Sequence, residues 1–345
     1  MCSNTWLDAI LTWDCVLSVM SIILNVVLML LVLQIPIKMI GSYKYLMMCY
    51  AALNVLYACC NVVVKPVINV IGNSFVIFTL NRLSSLNKFV GEIGLAIHGS
   101  LMASMLALLA IQFFYRYTVV FYPKLLFSRF SLKSSILWIA FIIAFSAIWG
   151  CSTYFLYDHS NEQELATEFN VTHCLGHANI GMSYFATSQT GKYQPRWLSI
   201  LGVSIQMIQI LSILGWILFA IYRTNAVMIN NSRVIAVIKE QKEYYGTLKI
   251  QTVAQFFLIV IPMFCLFLLP LIGVRIGFAE YIIPFLYALI PLVSPLVALL
   301  NIKSLRSRLA EYLFNCGKER RSGQVYGVTY SEDFEMRPPS VPTIA

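Results

Sequence analysis

Residues 93–115 read IGLAIHGSLMASMLALLAIQFFY, a stretch of 23 residues without Asp, Glu, Lys or Arg. Arg116 and Tyr117 follow it directly. A helix rises about 1.5 Å per residue, so about 20 apolar residues cross a bilayer core of about 30 Å. Lipid offers no partner to an exposed backbone group, which forces such a stretch to be helical. Residues 93–115 therefore predict a membrane-spanning helix that ends at Arg116.

Six further uncharged stretches are long enough to span a membrane. They are Cys15–Ile37, Tyr45–Val64, Ser134–Tyr157, Trp197–Tyr222, Ile250–Val274 and Tyr281–Ile302. With residues 93–115 they predict an all-α membrane protein built as a seven-transmembrane helix bundle. Pro66–Asn81 is also uncharged, but it has only 16 residues and contains Gly72 and Asn73. It is predicted as a loop on the outer surface; as an eighth span it would place both termini on one side.

The composition excludes a soluble protein. Hydrophobic residues make up 59% of the 345 residues and charged residues 11%, whereas a soluble domain carries about 25% charged residues. So few charges cannot cover a surface that faces water, and the surface must face lipid. No sequence motif of phosphate-binding loops, zinc proteases or serine hydrolases is present, so we predict neither an enzyme nor a cofactor.

The distribution of basic residues gives the orientation. Eighteen of the 24 lysines and arginines fall on one side of the predicted spans, together with the C-terminal tail, and six fall on the other. Because basic residues accumulate in cytoplasmic segments, the N-terminus is predicted outside. The net charge of +9 then faces anionic lipid and acidic cytoplasmic partners, not nucleic acid. The predicted segments are an extracellular N-terminus (1–14), a transmembrane domain (15–302), an amphipathic membrane-surface helix (303–316) and a disordered cytoplasmic tail (317–345).

Two modification sites follow from this topology. Asn170 begins an Asn-Val-Thr sequon in the long outer loop and is the predicted glycosylation site. Cys316, at the end of the amphipathic helix, is a candidate for palmitoylation, with a reduced thiol as the alternative. The histidines of the outer loop match no closed metal site, so no metal is predicted.

Four motifs carry a family resemblance. They are GSYKYLM at residues 41–47, FFYRY at 113–117, LKIQT at 248–252 and PLVSPL at 291–296. Together they resemble the nematode seven-transmembrane chemoreceptors of the str and srj group, over about residues 10 to 315. The resemblance implies an odorant or small-molecule receptor in the plasma membrane, at the cilium of a sensory neuron, that signals to a heterotrimeric G protein.

The candidate ligand residues lie in the outer halves of three spans. His98 precedes Arg116 by 18 residues, or about 27 Å of helix, which is the depth where rhodopsin-like receptors hold ligands. Met102 and Met105 would line the same face, and Phe267 and Tyr287 are further candidates. For His98 the alternative is a hydrogen bond to a neighbouring helix, and for the methionines it is ordinary packing.

The inner candidates are Arg116, Tyr117 and Lys249, which the resemblance implies as G-protein contacts; Arg116 is also a candidate contact of the resting state. Rhodopsin-like receptors carry an acidic residue before this arginine, but here Tyr115 stands there. The alternative for Arg116 is simple anchoring of the span.

The usual disulfide from the third span is also missing, because no cysteine lies between Cys60 and Cys151. Cys174 is then free or paired elsewhere, with Cys2 as the candidate. At the level of function, a ligand-gated channel, a facilitative transporter and a scaffold protein stay open as alternatives to a receptor.

Overall fold

The computed structural model describes residues 5–35, 43–71, 74–79, 88–122, 132–157, 179–183, 185–187, 193–230, 232–272 and 279–315. Within these residues, seven helices are long and apolar enough to cross a membrane, as predicted. Their apolar stretches are Leu11–Gln34, Tyr43–Val64, Phe89–Phe121, Ser135–Leu156, Trp197–Ala226, Glu243–Leu271 and Ile282–Asn301. We refer to them in this order as the first to the seventh span.

The helices have bounds that differ from those of the apolar stretches in every span but the second. They run Thr5–Gln34, Tyr43–Val64, Lys88–Phe121, Leu132–Cys151, Trp197–Asn230, Ser232–Gln255, Ile261–Leu271 and Ala279–Asn301. A π-helical turn, Phe256–Val260, joins the two helices of the sixth span. Pro262 lies in the first turn of the second of these helices. Because proline cannot donate a backbone hydrogen bond, the wider turn before it adapts the helix to the missing bond.

The first helix begins earlier than the sequence predicts. We expected the span to start at Cys15, because Asp14 interrupts the uncharged stretch. In the structure the helix begins at Thr5, and its apolar part begins at Leu11. Asp14 is therefore a residue of the span and not of the segment before it, which makes it available to the interior of the bundle.

The third span forms the centre of the bundle. Its apolar stretch is 67% buried, whereas that of the fourth span, at the periphery, is 22% buried. Small residues let the two spans approach closely, since a Cβ added at Gly99 would lie 3.0 Å from the Trp149 indole nitrogen. Ala103 and Ala107 are fully buried on the same helix. This is the small-residue packing by which helices associate in lipid.

A buried hydrogen-bond network joins the first, second and seventh spans. The Asn25 amide donates to the Pro291 carbonyl at 2.9 Å, and the Asn54 amide donates to Asn25 Oδ1 at 3.0 Å. The Pro291 carbonyl needs this donor because the residue four positions later, Pro295, has no N–H. The network thus satisfies a backbone group that the helix itself leaves open.

The outer side carries short β-strands that the sequence patterns do not predict. Strands β1 (Pro66–Ile71) and β2 (Ser74–Thr79) form an antiparallel hairpin, and β3 (Asn179–Ser183) pairs with β2. Strands β4 (Phe185–Thr187) and β5 (Tyr193–Pro195) form a second pair. The prediction of a surface loop at Pro66–Asn81 is therefore wrong: the segment does not span, but it is a hairpin with a buried face. Its partner strand lies about 100 residues away in the chain, which no local pattern reveals.

A helix, Lys303–Asn315, follows the seventh span on the inner side, where the amphipathic helix was predicted. Its residue Leu305 is completely buried, and Ile302 before it is nearly so. Both belong to one inner hydrophobic cluster that also contains Tyr244 and Tyr115. The end of the seventh span is thus tied to the inner ends of the third and sixth spans.

Candidate functional site

A cavity opens within the outer half of the bundle, and each of the seven spans contributes to its lining. The volume open to the centre of a water-sized sphere is about 60 Å³, well above the 10–15 Å³ or so that one water requires. Most lining residues are apolar. Those with polar side chains are Asp14, Asn61, Lys65, His98, Trp149, Thr153, Tyr157, Gln206 and Tyr287.

The β-hairpin closes the cavity from the outside. Phe75 of β2 is completely buried, and its ring lies 6.0 Å from that of Tyr157 and 5.8 Å from that of Phe267. The Thr79 hydroxyl donates to the Val64 carbonyl, which fixes the end of β2 against the second span. Phe75 is therefore a cap held in place by both the second span and β3.

One end of the cavity carries a chain of three polar side chains. The Asn61 amide nitrogen donates to the Asp14 carboxylate, and the Asn61 amide oxygen lies 3.1 Å from His98 Nε2. Because the amide oxygen only accepts, Nε2 must carry the hydrogen of this bond. The His98 ring also packs against Tyr57, with centroids 4.7 Å apart. His98 thus lines the cavity and is also hydrogen-bonded to a neighbouring helix, as the alternative interpretation expected.

A second polar group of the lining is internally satisfied. Gln206 of the fifth span donates to Ser152 Oγ at 3.0 Å and Thr153 Oγ1 at 2.9 Å, and its amide oxygen accepts from the Tyr157 hydroxyl. Ser152 and Thr153 belong to the π-helical turn Ser152–Leu156 that ends the fourth span. A network whose members bond one another leaves little for a ligand. We interpret it as structural.

The cavity includes four of the five predicted ligand residues. His98, Met102, Phe267 and Tyr287 line it. Met105 does not: it is completely buried in the core, about 4.5 Å further along the helix than Met102. The expectation that both methionines share the cavity face is therefore wrong for Met105.

Asp14 and Phe75 are among the lining residues that were not predicted from the sequence. Asp14 was placed before the first span because it ends an uncharged stretch, and Phe75 was placed in a surface loop. Residues 74–79 read SFVIFT, which does not alternate between polar and apolar residues, so no local pattern marks Phe75 as the buried position.

At the inner end of the third span, Arg116 is enclosed by three tyrosines. The guanidinium carbon lies 3.9 Å from the Tyr43 ring centroid, 5.5 Å from that of Tyr244 and 5.7 Å from that of Tyr115. Arg116 is only 3% exposed. We call Tyr43, Tyr115 and Tyr244 the tyrosine cage. Arginine over an aromatic face is a favourable contact, and it strengthens where water is excluded.

Hydrogen bonds of Lys44, which follows Tyr43, and of Tyr244 itself help to position two tyrosines of the cage. Lys44 donates from Nζ to the carbonyls of Leu33 and Ile35, both at 2.8 Å, and so holds the start of the second span against the end of the first. Basic side chains commonly bond the last carbonyls of a helix in this way. On the sixth span, the Tyr244 hydroxyl lies 3.4 Å from Ser304 Oγ.

The other predicted inner residues do not join Arg116. The Tyr117 ring packs against Phe121 and Trp216, with centroids 4.6 and 5.9 Å apart, and so faces the fifth span. Lys249 Nζ lies 4.9 Å from the Tyr245 ring on its own helix. The predicted sites at Asn170, Cys316, Cys2 and Cys174 lie outside the described residues. In the part of the chain that is described, no group of His, Cys, Asp or Glu residues forms a metal site.

The chain is similar to receptors of known sequence over most of its length. It is 27% identical to the G-protein coupled receptor str-33 of Caenorhabditis elegans over 286 residues, which cover 79% of this chain and 81% of that one. It is 25% identical to the serpentine receptor class r-10 of the same organism, with 92% and 94% covered. The protein of that name in Caenorhabditis briggsae is 23% identical, with 93% and 95% covered.

Two further findings concern the fold and the family. Squid rhodopsin superposes with a TM-score of 0.64 at 11% identity, covering 93% of this chain and 89% of that one. At this identity the likeness supports the seven-span receptor fold alone. The sequence profile of the family described as serpentine type 7TM GPCR chemoreceptor Str matches residues 12–310. The chain is therefore a multi-pass membrane protein that belongs to the Str family of serpentine seven-transmembrane chemoreceptors.

Proposed function

We propose that this protein is a chemosensory receptor that binds a small molecule in the outer cavity and signals to a heterotrimeric G protein. The observation that carries the proposal is the capped cavity, lined by each of the seven spans. A ligand held there touches every helix whose relative position could change. The proposed location is the plasma membrane, at the sensory cilium.

The sixth span supplies a physical connection between the two sites. Phe267 lines the cavity, and Tyr244 belongs to the tyrosine cage on the same span. Their separation of 23 residues corresponds to about 35 Å of helix. The π-helical turn Phe256–Val260 and Pro262 lie between them and interrupt the regular bonding of the span. A ligand that prefers one position of the outer half would thus bias the position of Tyr244.

At the inner face, the tyrosine cage takes the role that an acidic neighbour has in rhodopsin-like receptors. In this conformation Arg116 is buried and offers no surface to a partner. Movement of Tyr244 away from Arg116 would uncover the guanidinium. Arg116, Tyr117 and Lys249 are the proposed G-protein contacts of that second conformation.

The proposal is tested by expression in a heterologous cell with a second-messenger reporter. Volatile and water-soluble odorants added outside should give a response that disappears when G proteins are inhibited. Arg116→Ala should reach the cell surface at the wild-type level and lose the response. Arg223→Ala is the matched control, because Arg223 is an exposed arginine near the inner end of the fifth span; it should respond normally. A current or solute flux that persists under G-protein inhibition would replace the receptor with a channel or transporter.

A further inference from the structure

We infer that the cavity selects small, mainly apolar molecules with one hydrogen-bond-donating head group, an amine or an alcohol, held by Asp14, His98 and Tyr287. This inference rests on the proposed function, because it names the ligand class of the same cavity. Its basis is the difference between the polar atoms of the lining that are already bonded and those that are open.

Both polar atoms of the Asn61 side-chain amide already take part in hydrogen bonds within the protein. Its nitrogen donates to one oxygen of Asp14, and its oxygen accepts from His98 Nε2. The second oxygen of Asp14 and the Nδ1 atom of His98 have no hydrogen-bond partner among the described residues. An ionised carboxylate only accepts, and a neutral imidazole that donates from Nε2 accepts at Nδ1. The second Asp14 oxygen and His98 Nδ1 are thus free hydrogen-bond acceptors, which a ligand that donates a hydrogen bond would satisfy.

Tyr287 gives the independent observation. It lines the cavity, is 6% exposed, and its hydroxyl has no hydrogen-bond partner within the described part of the chain. A buried hydroxyl without a partner is unfavourable unless something else bonds it. The hydroxyl both donates and accepts, so it suits an amine or alcohol that already donates to an acceptor nearby.

Asp14 of the first span and Tyr287 of the seventh span lie at a similar depth in the bundle. Trp13, which precedes Asp14, and Phe285, two residues before Tyr287, have ring centroids 5.0 Å apart. The rest of the lining is mainly apolar, with Met102, Phe75 and Phe267 among its members, and Gln206 is saturated by its own network. Because the cavity has one polar end and an otherwise apolar lining, it fits a ligand with a polar head group and an apolar body.

Charge favours a donor over an acid. Asp14 and Lys65 are the charged side chains of the lining, with His98 as a further titratable group. Lys65 follows the last residue of the second span and turns the chain into β1, with a φ of 50°. It therefore belongs to the rim, whereas Asp14 lies one turn inside its span. An acidic ligand would meet the Asp14 carboxylate before it filled the cavity.

The test uses four probes with one six-carbon chain: hexylamine, 1-hexanol, 2-hexanone and hexanoic acid. In the reporter cell, the amine and the alcohol should activate, and the ketone and the acid should not. Tyr287→Phe should raise the half-maximal concentration of the active probes about tenfold, the equivalent of one hydrogen bond. Tyr222→Phe is the control for loss of a hydroxyl, because Tyr222 is 72% exposed near the inner end of the fifth span and does not line the cavity. It should leave the half-maximal concentration unchanged.

A binding measurement separates the inference from the proposed function. The purified full-length receptor in detergent should gain thermal stability with hexylamine or 1-hexanol, and the Tyr287→Phe variant should gain less. Stabilisation by the donors without a G-protein-dependent signal would support the ligand class and count against the receptor proposal. Equal or greater effects of the ketone or the acid, or no stabilisation by either donor, would overturn the ligand class.

Discussion

The Arg116 guanidinium carbon lies 3.9 Å from the centroid of the Tyr43 ring, which joins the inner ends of the third and second spans. Tyr244 of the sixth span lies against the same guanidinium at 5.5 Å. Three spans thus meet at one buried cation. Because Tyr115 stands where rhodopsin-like receptors have an acidic residue, the third span supplies a ring and not a carboxylate to this arginine.

Removal of a cage ring should release Arg116 and raise signalling without ligand. Since one cation–π contact is worth about 0.5–2 kcal/mol, Tyr43→Ala and Tyr244→Ala should shift the resting equilibrium by a factor of about 2 to 30. The measurement is the ligand-free reporter signal at matched surface expression. Tyr43→Phe keeps the ring and should raise the ligand-free signal less than Tyr43→Ala does. A silent Tyr43→Ala variant that still responds normally to ligand would show that the cage does not hold the resting state.

The contact between the third and fourth spans leaves no room for a methyl group at Gly150. A Cβ there would overlap the Ser100 hydroxyl oxygen. Gly150→Ala should therefore reduce surface expression, measured by antibody labelling of intact cells. The added Ser100→Ala change removes that oxygen and should restore expression. Gly215→Ala is the control, because a Cβ at Gly215 meets nothing within 4 Å. Normal expression of the single Gly150→Ala variant would contradict the packing described.

Loss of the Asn25 side chain should destabilise the bundle. Asn25→Ala removes the donor to the Pro291 carbonyl and the acceptor of the Asn54 amide. Each buried group left without a partner costs about 1–3 kcal/mol. The purified variant should unfold at a lower temperature in detergent. Asn301→Ala, which removes an exposed amide bonded within its own helix, should change the unfolding temperature little; an equal effect of both changes would refute the role of the network.

The Phe75 cap should increase ligand affinity. Phe75→Ala removes a completely buried ring from the cavity lining. Because the ligand would no longer pack against this ring, the half-maximal concentration of an activating odorant should rise by about tenfold or more. Phe155→Ala is the control, because Phe155 is 71% exposed on the lipid-facing side of the fourth span. An unchanged dose response of Phe75→Ala would mean that the hairpin does not cover the ligand.

The spans could be predicted from the sequence because charge and hydropathy along one helix are local properties. The depth of His98 also follows from its distance to Arg116 on a single helix. By contrast, the meeting of Tyr43 and Tyr244 around Arg116 depends on how three helices rotate and pack, which no single segment encodes. Phe75 was missed for a similar reason, since the pairing of β2 with β3 is non-local. Asp14 was missed because a charged residue was taken as the end of the apolar stretch, although the cavity accepts its carboxylate inside the span.

The most direct test of the link between the two sites uses the purified receptor in lipid nanodiscs with a panel of purified G-protein heterotrimers. Guanine-nucleotide exchange on the heterotrimer is measured with and without the odorant that activates the reporter cell. We expect odorant-stimulated exchange that Arg116→Ala abolishes and that Tyr244→Ala makes partly independent of odorant. The proposed link would be contradicted by odorant binding that leaves nucleotide exchange unchanged on every heterotrimer, or by odorant-dependent ion flux through liposomes that contain the receptor alone.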